Sequence, residues 1–549
     1  MRKPLGAGKM LTKVRLSPAL VLLVLVCPAA AQARPAPAPG LLDLRVGNGG
    51  TPFAGDRRLL ATVSPNRDGF RNRAIVSFRL VRKATVEVEA VRTETFRIRP
   101  RFERVVWSHK ADLKPGRHHV VWKPPRSIEL RTFILRITVS RKGRKRVYGA
   151  YRPTLHSRVD APVVRMLGVA VSFGQRSYAP GNSARVQIAA DARTLRLQVL
   201  GYRKSPQGKV DAATGASPVG PEASLDWRGH RNAPGSVSVQ GAADLPTGLY
   251  FFRATAPDGR VGYAPFVVRP RPAERHRIAV VLPTNTWQAY NFEDANGDGW
   301  GDSWYVSSAI KSVPLRRPYL GNGVPRRFRE LDLPFQQWLA RTGRQVDVLA
   351  EDDLEQVNGD ELASRYDLIV FPGHEEYVTA HVYTAAQRYR DLGGNLIFLS
   401  ADNFFRRVDR RGGKLLLRSA WRDLGRPEAA LIGVQYLNSD HCERQDSYLV
   451  TGEHDVPWLF SGTGLHDGDR FGRYGCEIDA RAAESPRDTI TLATIPNLFA
   501  PGRSAQMSYY ETPAGAKVFA SGVLNFVGSI DSPPASQLLE NLWVRLSKP

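Results

Sequence analysis

Apolar and polar residues alternate with a period of two over residues 74–81, 84–91, 118–123 and 132–139. Each run is rich in β-branched side chains and bounded by Gly, Pro or charged turns. Such alternation lays one face of a strand on a core and the other on water, which predicts an antiparallel β-sandwich over 41–155. The same pattern returns over 184–190, 194–200, 249–255 and 261–268, predicting a second sandwich over 160–270 that ends at the linker Pro270-Arg271-Pro272. From residue 275 the pattern changes. Short, mostly apolar runs at 277–282, 346–349, 366–371, 395–400 and 516–523 read as buried strands. Between them lie helical segments: 334–341, closed by Gly343; a segment capped by Thr379 and running to Leu392; and a last one from Ser532-Pro533-Pro534 to Leu546. Strands alternating with helices predict an α/β domain over 275–549 built on a mostly parallel sheet.

Composition refines this picture at the amino end. The first 33 residues carry five Lys/Arg and no acid, followed by an apolar run to Cys27 and the small-x-small pattern Ala31-Gln32-Ala33. That layout predicts a cleaved signal peptide over 1–33 and a secreted or envelope-associated protein without a transmembrane span. A Pro/Ala-rich leader covers 34–40. The formal charge of +26 is uneven: residues 34–160 hold 29 basic and 10 acidic residues, residues 161–549 hold 44 and 42. The cationic excess therefore belongs to the first sandwich. It lacks a recognition helix, zinc spacing or aromatic-basic strands, so nucleic acid is not the expected partner; an anionic cell-envelope polymer is. Once Cys27 is removed, Cys442 and Cys476 remain, and an oxidising compartment predicts a disulfide between them.

In an open parallel sheet, sites form beyond the carboxyl ends of the strands. The run 366–371 ends in Pro372-Gly373-His374-Glu375-Glu376-Tyr377, three ionisable groups on one turn. The run 395–400 ends in Ala401-Asp402-Asn403 in a layout that resembles class I glutamine amidotransferases. No Cys stands where those enzymes carry their nucleophile, and no Gly-x-Ser-x-Gly occurs, which excludes thiolate attack and leaves serine catalysis without a motif. Glu375 and Glu376 also raise a glycosidase reading, but adjacent acids on a turn rarely straddle a glycosidic bond.

Four ordered motifs carry a resemblance. Gln288-Ala289-Tyr290-Asn291 with Gly301-Asp302-Ser303-Trp304-Tyr305, Gly373 through Tyr377, Gly393-Gly394-Asn395 through Asn403, and Gly462-Thr463-Gly464-Leu465 with Gly475, Glu477 and Asp479 resemble the N,N-dimethylformamidase large (beta) subunit family over about 160–549. A weaker resemblance joins Ser64-Pro65-Asn66-Arg67-Asp68-Gly69 and the strands after it, over 55–150, to the Ig-like domain of flagellar-hook-cap-type proteins. The family resemblance implies hydrolysis of a carboxamide C–N bond in a small linear amide by iron-bound water. It implies a mononuclear Fe(III) held by Tyr250, Tyr290 and Glu376, with His374 and Asn403 as supporting or substrate-activating groups. Hard phenolate and carboxylate oxygens suit such an ion.

Between Tyr290 and Ser303 the chain departs from that family. Asp294, Asn296, Asp298, Gly299 and Asp302 occupy positions 1, 3, 5, 6 and 9 of a calcium loop, while Tyr305 replaces the bidentate acid at position 12. An atypical Ca2+ site is expected there. The sequence thus predicts two Ig-like sandwiches followed by a glutamine-amidotransferase-like α/β domain, working as an iron-dependent amidohydrolase. The other reading is a non-catalytic, calcium-stabilised envelope-binding protein that kept the fold.

Overall fold

The computed structural model describes residues 40–93, 103–150, 160–206, 208–239, 245–305, 309–440 and 442–548. The expected signal segment and nearly all of the leader lie outside them.

The period-two runs fold as the pattern requires. Leu41–Gly47, Ala74–Leu80 and Gly116–Trp122 form one antiparallel sheet. It faces a second sheet ordered Leu60–Val63, Val163–Met166, Thr132–Arg141, Ala84–Arg92, Arg104–Leu113, with Arg144–Tyr148 also paired to Thr132–Arg141. Apolar side chains from both sheets meet in one core that includes Val76, Phe78, Val88, Trp122 and Phe133. Val163–Met166 falls within the expected second sandwich, yet it pairs with Leu60–Val63 and Thr132–Arg141 of the first.

The next sandwich sets Val169–Phe173, Ala184–Ala190 and Gly235–Val239 against a sheet whose centre is Val261–Val268, Gly248–Thr255 and Thr194–Gly201. The pleat of Gly248–Thr255 divides its side chains. Tyr250, Phe252 and Ala254 enter the sandwich's own core. Leu249 and Phe251 face the opposite way, into the core shared with the carboxyl-terminal part.

There the expected mostly parallel sheet is corrected to a mixed one. Nine strands run in the order Asp347–Ala350, Ile278–Leu282, Leu368–Phe371, Asn395–Phe398, Lys517–Ala520, Ala505–Glu511, Ile490–Ile495, Gln445–Val450, Arg470–Gly475. The first four pairings are parallel and the last four antiparallel. The chain is a mostly β, multidomain protein. Helices Leu333–Thr342, Ala380–Asp391 and Ala535–Leu546 cover the sheet. Thr379 caps the second through its side chain, and Gly343 ends the first in the left-handed region at φ 66°. No helix among the described residues is long and apolar enough to cross a membrane.

Candidate functional site

Three turns beyond the carboxyl ends of parallel strands converge. Ile278–Leu282 leads into the short helix Thr284–Ala289, whose last turn presents Tyr290. Leu368–Phe371 leads to His374, Glu375 and Glu376. Asn395–Phe398 leads to Asp402 and Asn403, where Asp402 and Phe404 take left-handed backbone at φ 57° each. A fourth element, Glu477–Ala480, is laid alongside by two backbone bonds, Asp479 N–H to the Gly522 carbonyl and Leu524 N–H to the Glu477 carbonyl, both 3.0 Å.

At the centre, the Tyr290 hydroxyl donates to Glu376 Oε2 and lies 3.1 Å from His374 Nε2. His374 Nδ1 must carry a proton, because its partner at 2.9 Å is the Ala401 carbonyl. Nε2 therefore faces the site, 3.5 Å from Glu376 and 3.4 Å from Glu477. His374, Asp402 and Glu477 bring ligand-type atoms within 4.8 Å of one another. Asp402 Oδ1 is buried with no hydrogen-bond partner among the described residues. Half-buried Tyr290, Tyr305, Tyr436 and Glu477 flank an otherwise buried cluster.

The electrostatics are one-sided. Burial lowers the His374 pKa, but the Glu477 charge, with Glu376 and the Ala401 carbonyl, outweighs it and carries the imidazole up to about 9. Burial, then Glu376 and Glu477, holds the Tyr290 phenol well above its ordinary value. Burial and the same two acids push Asp402 well above the carboxylate range. One imidazolium cannot neutralise three carboxylates in this volume. Protons or a cation must, and an orphaned carboxylate oxygen beside hard oxygen donors is the chemistry of a cation site.

The expected residues divide accordingly. Tyr290, Glu376 and His374 are brought together. Asn403 serves the backbone: its Oδ1 accepts the Glu375 N–H at 3.0 Å and its Nδ2 donates to the Ser400 carbonyl at 2.8 Å, fixing the turn that carries Glu376. Tyr250, expected as an iron ligand, is corrected out of the set. Its side chain lies on the sandwich-core face of its strand, its ring stacks on Phe266 at 5.6 Å, and its hydroxyl donates to the Pro246 carbonyl at 2.9 Å. It borders a hollow with His276 and Val346, at the amino ends of the parallel strands, whereas Tyr290 and Glu376 follow their carboxyl ends. Glu375 is fully buried against Glu351 and keeps its proton, because burial and that neighbour raise its pKa well above normal. Its carboxyl meets Glu351 while that of Glu376 meets Tyr290 and His374, so the two adjacent acids serve different neighbours.

Asp402 and Glu477 stand within the sequence motifs, but no ligand role for them follows from those motifs. The signal available was their place: one ends a parallel strand, the other stands in Gly475-Cys476-Glu477. Cys442 and Cys476 form a disulfide, which ties down the residue next to Glu477.

The segment expected to bind calcium lies against the first sandwich. Asp294 accepts the backbone N–H groups of Gly297, Asp298 and Gly299, Asp298 accepts that of Trp300, and Asp302 that of Ala295. Trp300 enters the first sandwich's core. Arg317, buried and with its pKa pushed down to about 10 by that burial, binds the carbonyls of Gln288, Glu293, Asn291 and Asp302 and so joins the loop to the Tyr290 turn.

Comparison with known proteins adds a family. The family model described as N,N-dimethylformamidase beta subunit-like, C-terminal, matches residues 198–414 and 409–538, more than half of the chain. No curated protein matches. Among solved structures, the native conformation of Escherichia coli alpha-2-macroglobulin is similar at 12% identity over 42% of this chain and 16% of that one, with a TM-score of 0.22. Salmonella alpha-2-macroglobulin reacted with methylamine matches at 13% identity, over 41% and 16%, with a TM-score of 0.21. The Yersinia pseudotuberculosis adhesin InvE matches at 11% identity, over 38% and 56%, with a TM-score of 0.14. The chain spans about one sixth of the length of the two macroglobulins.

Proposed function

Because the chain belongs to the N,N-dimethylformamidase beta subunit-like family, whose description is of a hydrolase-like kind, we propose that it hydrolyses the C–N bond of a small carboxamide at the Tyr290–Glu376 cluster. The observation that carries this reading is the meeting of the Tyr290 hydroxyl, the Glu376 and Glu477 carboxylates and His374 Nε2 in one buried volume, with the orphaned Asp402 oxygen beside them.

The residues fit a hard cation, with one change from the set the family implies. Tyr290 and Glu376 would hold it, and Asp402 and Glu477 offer carboxylate oxygens where Tyr250 does not reach. An Fe(III) bound there supplies Lewis acidity, polarising an amide carbonyl and acidifying water. The chain's own residues do the rest. His374 turns Nε2 toward the site, where it can carry a proton to the departing amine, which leaves as a neutral molecule. The Ala401 carbonyl fixes the imidazole tautomer. Asn403 and the Thr286 hydroxyl, which accepts the Glu376 N–H at 3.1 Å, keep the Glu376 turn from relaxing away from Tyr290. Burial of the cluster excludes bulk water and strengthens each of these charges.

Metal content and spectrum test the reading. Protein as isolated should hold about one iron per chain and show a tyrosinate-to-iron charge-transfer band that Tyr290→Phe abolishes. Glu477→Gln and Asp402→Asn should each lower iron content. Iron-free, fully folded protein that no added iron binds would end the proposal.

A further inference from the structure

The outer face of the sheet formed by Leu41–Gly47, Ala74–Leu80 and Gly116–Trp122 floors an open groove of about 850 Å3 in the first sandwich. Register sets what it displays. Arg45 stands opposite Ser77, Ser77 opposite His119, and Arg79 directly opposite Arg117. Arg57 and Arg58 line the same groove. Five arginines thus meet two acids, Asp43 and Asp56, and both acids are engaged. Asp43 pairs with Arg79 at 3.3 Å, and Asp56 accepts the Phe53 N–H at 2.9 Å and the Thr62 hydroxyl at 2.6 Å. Arg45 and Arg117 are exposed, and neither makes an ion pair or side-chain hydrogen bond among the described residues.

Two like charges directly opposite one another on a sheet oppose folding. Arg79 and Arg117 are such a pair, and one carboxylate offsets only half of it. Neighbouring strands are spaced by about 5 Å, and residues two apart on one strand by about 7 Å. The groove therefore presents cations along an open floor, Arg79 and Arg117 on one rung and Arg45 on the rung of Ser77 and His119, with a register shift between Leu42 and Arg45 in the edge strand. That arrangement does not enclose a small anion; it suits an extended polyanion. Among the described residues the floor exposes no Phe, Tyr or Trp ring on which bases would stack, and this sandwich carries no helix to enter a duplex groove. Ser77 and His119, paired across the strands with the Ser77 hydroxyl 2.9 Å from His119 Nδ1, instead offer hydrogen-bonding groups of the kind that sugar hydroxyls meet.

We propose that this groove binds a linear acidic polysaccharide, holding the chain on an anionic glycan through Arg45, Arg79 and Arg117. The groove shares no residue with the Tyr290–Glu376 cluster, so this inference and the amidase reading stand or fall separately.

The test uses the full chain and immobilised polygalacturonate, with uncharged dextran as the control polymer. The wild type should bind polygalacturonate and not dextran, with affinity falling steeply as salt rises. Arg45→Gln/Arg117→Gln should weaken binding at least tenfold and reduce the slope of log K against log salt by about 1.4, taking about 0.7 per cation as for a flexible single-stranded polyanion. Lys110→Gln/Lys145→Gln, the same charge loss elsewhere on this sandwich, should leave affinity within about twofold. Arg45→Lys/Arg117→Lys keeps the charge and should retain most of the binding, which guards against a folding artefact. Equal losses in the two Gln pairs would reduce the effect to net charge and overturn the groove. Absence of binding at low salt would overturn the proposal outright, as would tighter, Arg45- and Arg117-dependent binding of duplex DNA than of polygalacturonate.

Discussion

Replacing Tyr250 by Phe separates motif identity from geometry. The tyrosine occupies the position that the family resemblance assigns to an iron ligand, yet its hydroxyl donates to the Pro246 carbonyl and its ring stays on Phe266. Removing the oxygen leaves that packing in place. It deletes one part-buried hydrogen bond, worth about 1 kcal/mol. For a chain of this size that lowers the melting temperature by no more than about 2–4 °C. The alternative requires a phenolate. Burial raises the pKa of Tyr250, to about 12, and that of Tyr290 alike, so ionisation does not tell them apart; what sets Tyr250 aside is position. Its ring would have to leave the sandwich core and cross to the far side of the strand. Iron per chain, the visible charge-transfer band and a thermal melt, measured side by side on Tyr250→Phe and Tyr290→Phe, decide between the two. The expected result is full iron and an unchanged band in the first variant, and loss of the band in the second. Iron lost from Tyr250→Phe to the same extent would refute the placement argued from the pleat.

Two further outcomes are expected. Burial above all raises Asp298 to about 7, Asp302 to about 6 and Glu293 to about 7, so the folded chain keeps protons that the unfolded chain has released; their cost to stability is absent below about pH 4, grows as pH rises toward 7 and is constant above. Asp298→Asn in chelator should therefore melt above the wild type at pH 8 and lose that advantage by pH 4, whereas millimolar calcium, if the loop takes it, should raise the wild type alone; a calcium-insensitive pair of melts would leave only a turn held by backbone amides. Cys442→Ser/Cys476→Ser opens a loop with a sequence separation of 34, which chain entropy values at about 4 kcal/mol, and it frees the residue beside Glu477. Denaturant unfolding with an iron assay should show both losses together, and iron retained at full occupancy would disconnect the disulfide from the site.

How far the sequence reaches follows the physics of each segment. The sandwiches were legible because one buried and one wet face imprint a period of two; 84–91 and 132–139 were found nearly to the residue. The parallel strands were legible as short apolar runs, and the helices by their caps, Thr379 and Gly343. The antiparallel half of the nine-stranded sheet was not, and its absence made the sheet look mostly parallel. Gln445–Val450 and Ile490–Ile495 each contain a register shift, at Asp446/Tyr448 and Thr491/Ala493, which breaks the alternation that pattern reading depends on. Glu477 arrives at the site through that same half of the chain. It lies 101 residues beyond Glu376 and is positioned by backbone bonds near Gly522 and Leu524, so no local spacing could announce it as a partner of His374. Tyr250 shows the converse. A motif supplied its identity, but the pleat of its own strand, Leu249 and Phe251 on one side and Tyr250 and Phe252 on the other, already placed its hydroxyl with the sandwich core. Strand periodicity and motif position made opposite claims about that residue, and periodicity, which reports where a side chain points, is the one that bears on ligation. Of the two carboxylates that stand where Tyr250 was expected, Asp402 ends a strand that the apolar pattern reveals, but Glu477 comes from an element that periodicity could not read, and for that reason the composition of the site had to await the fold.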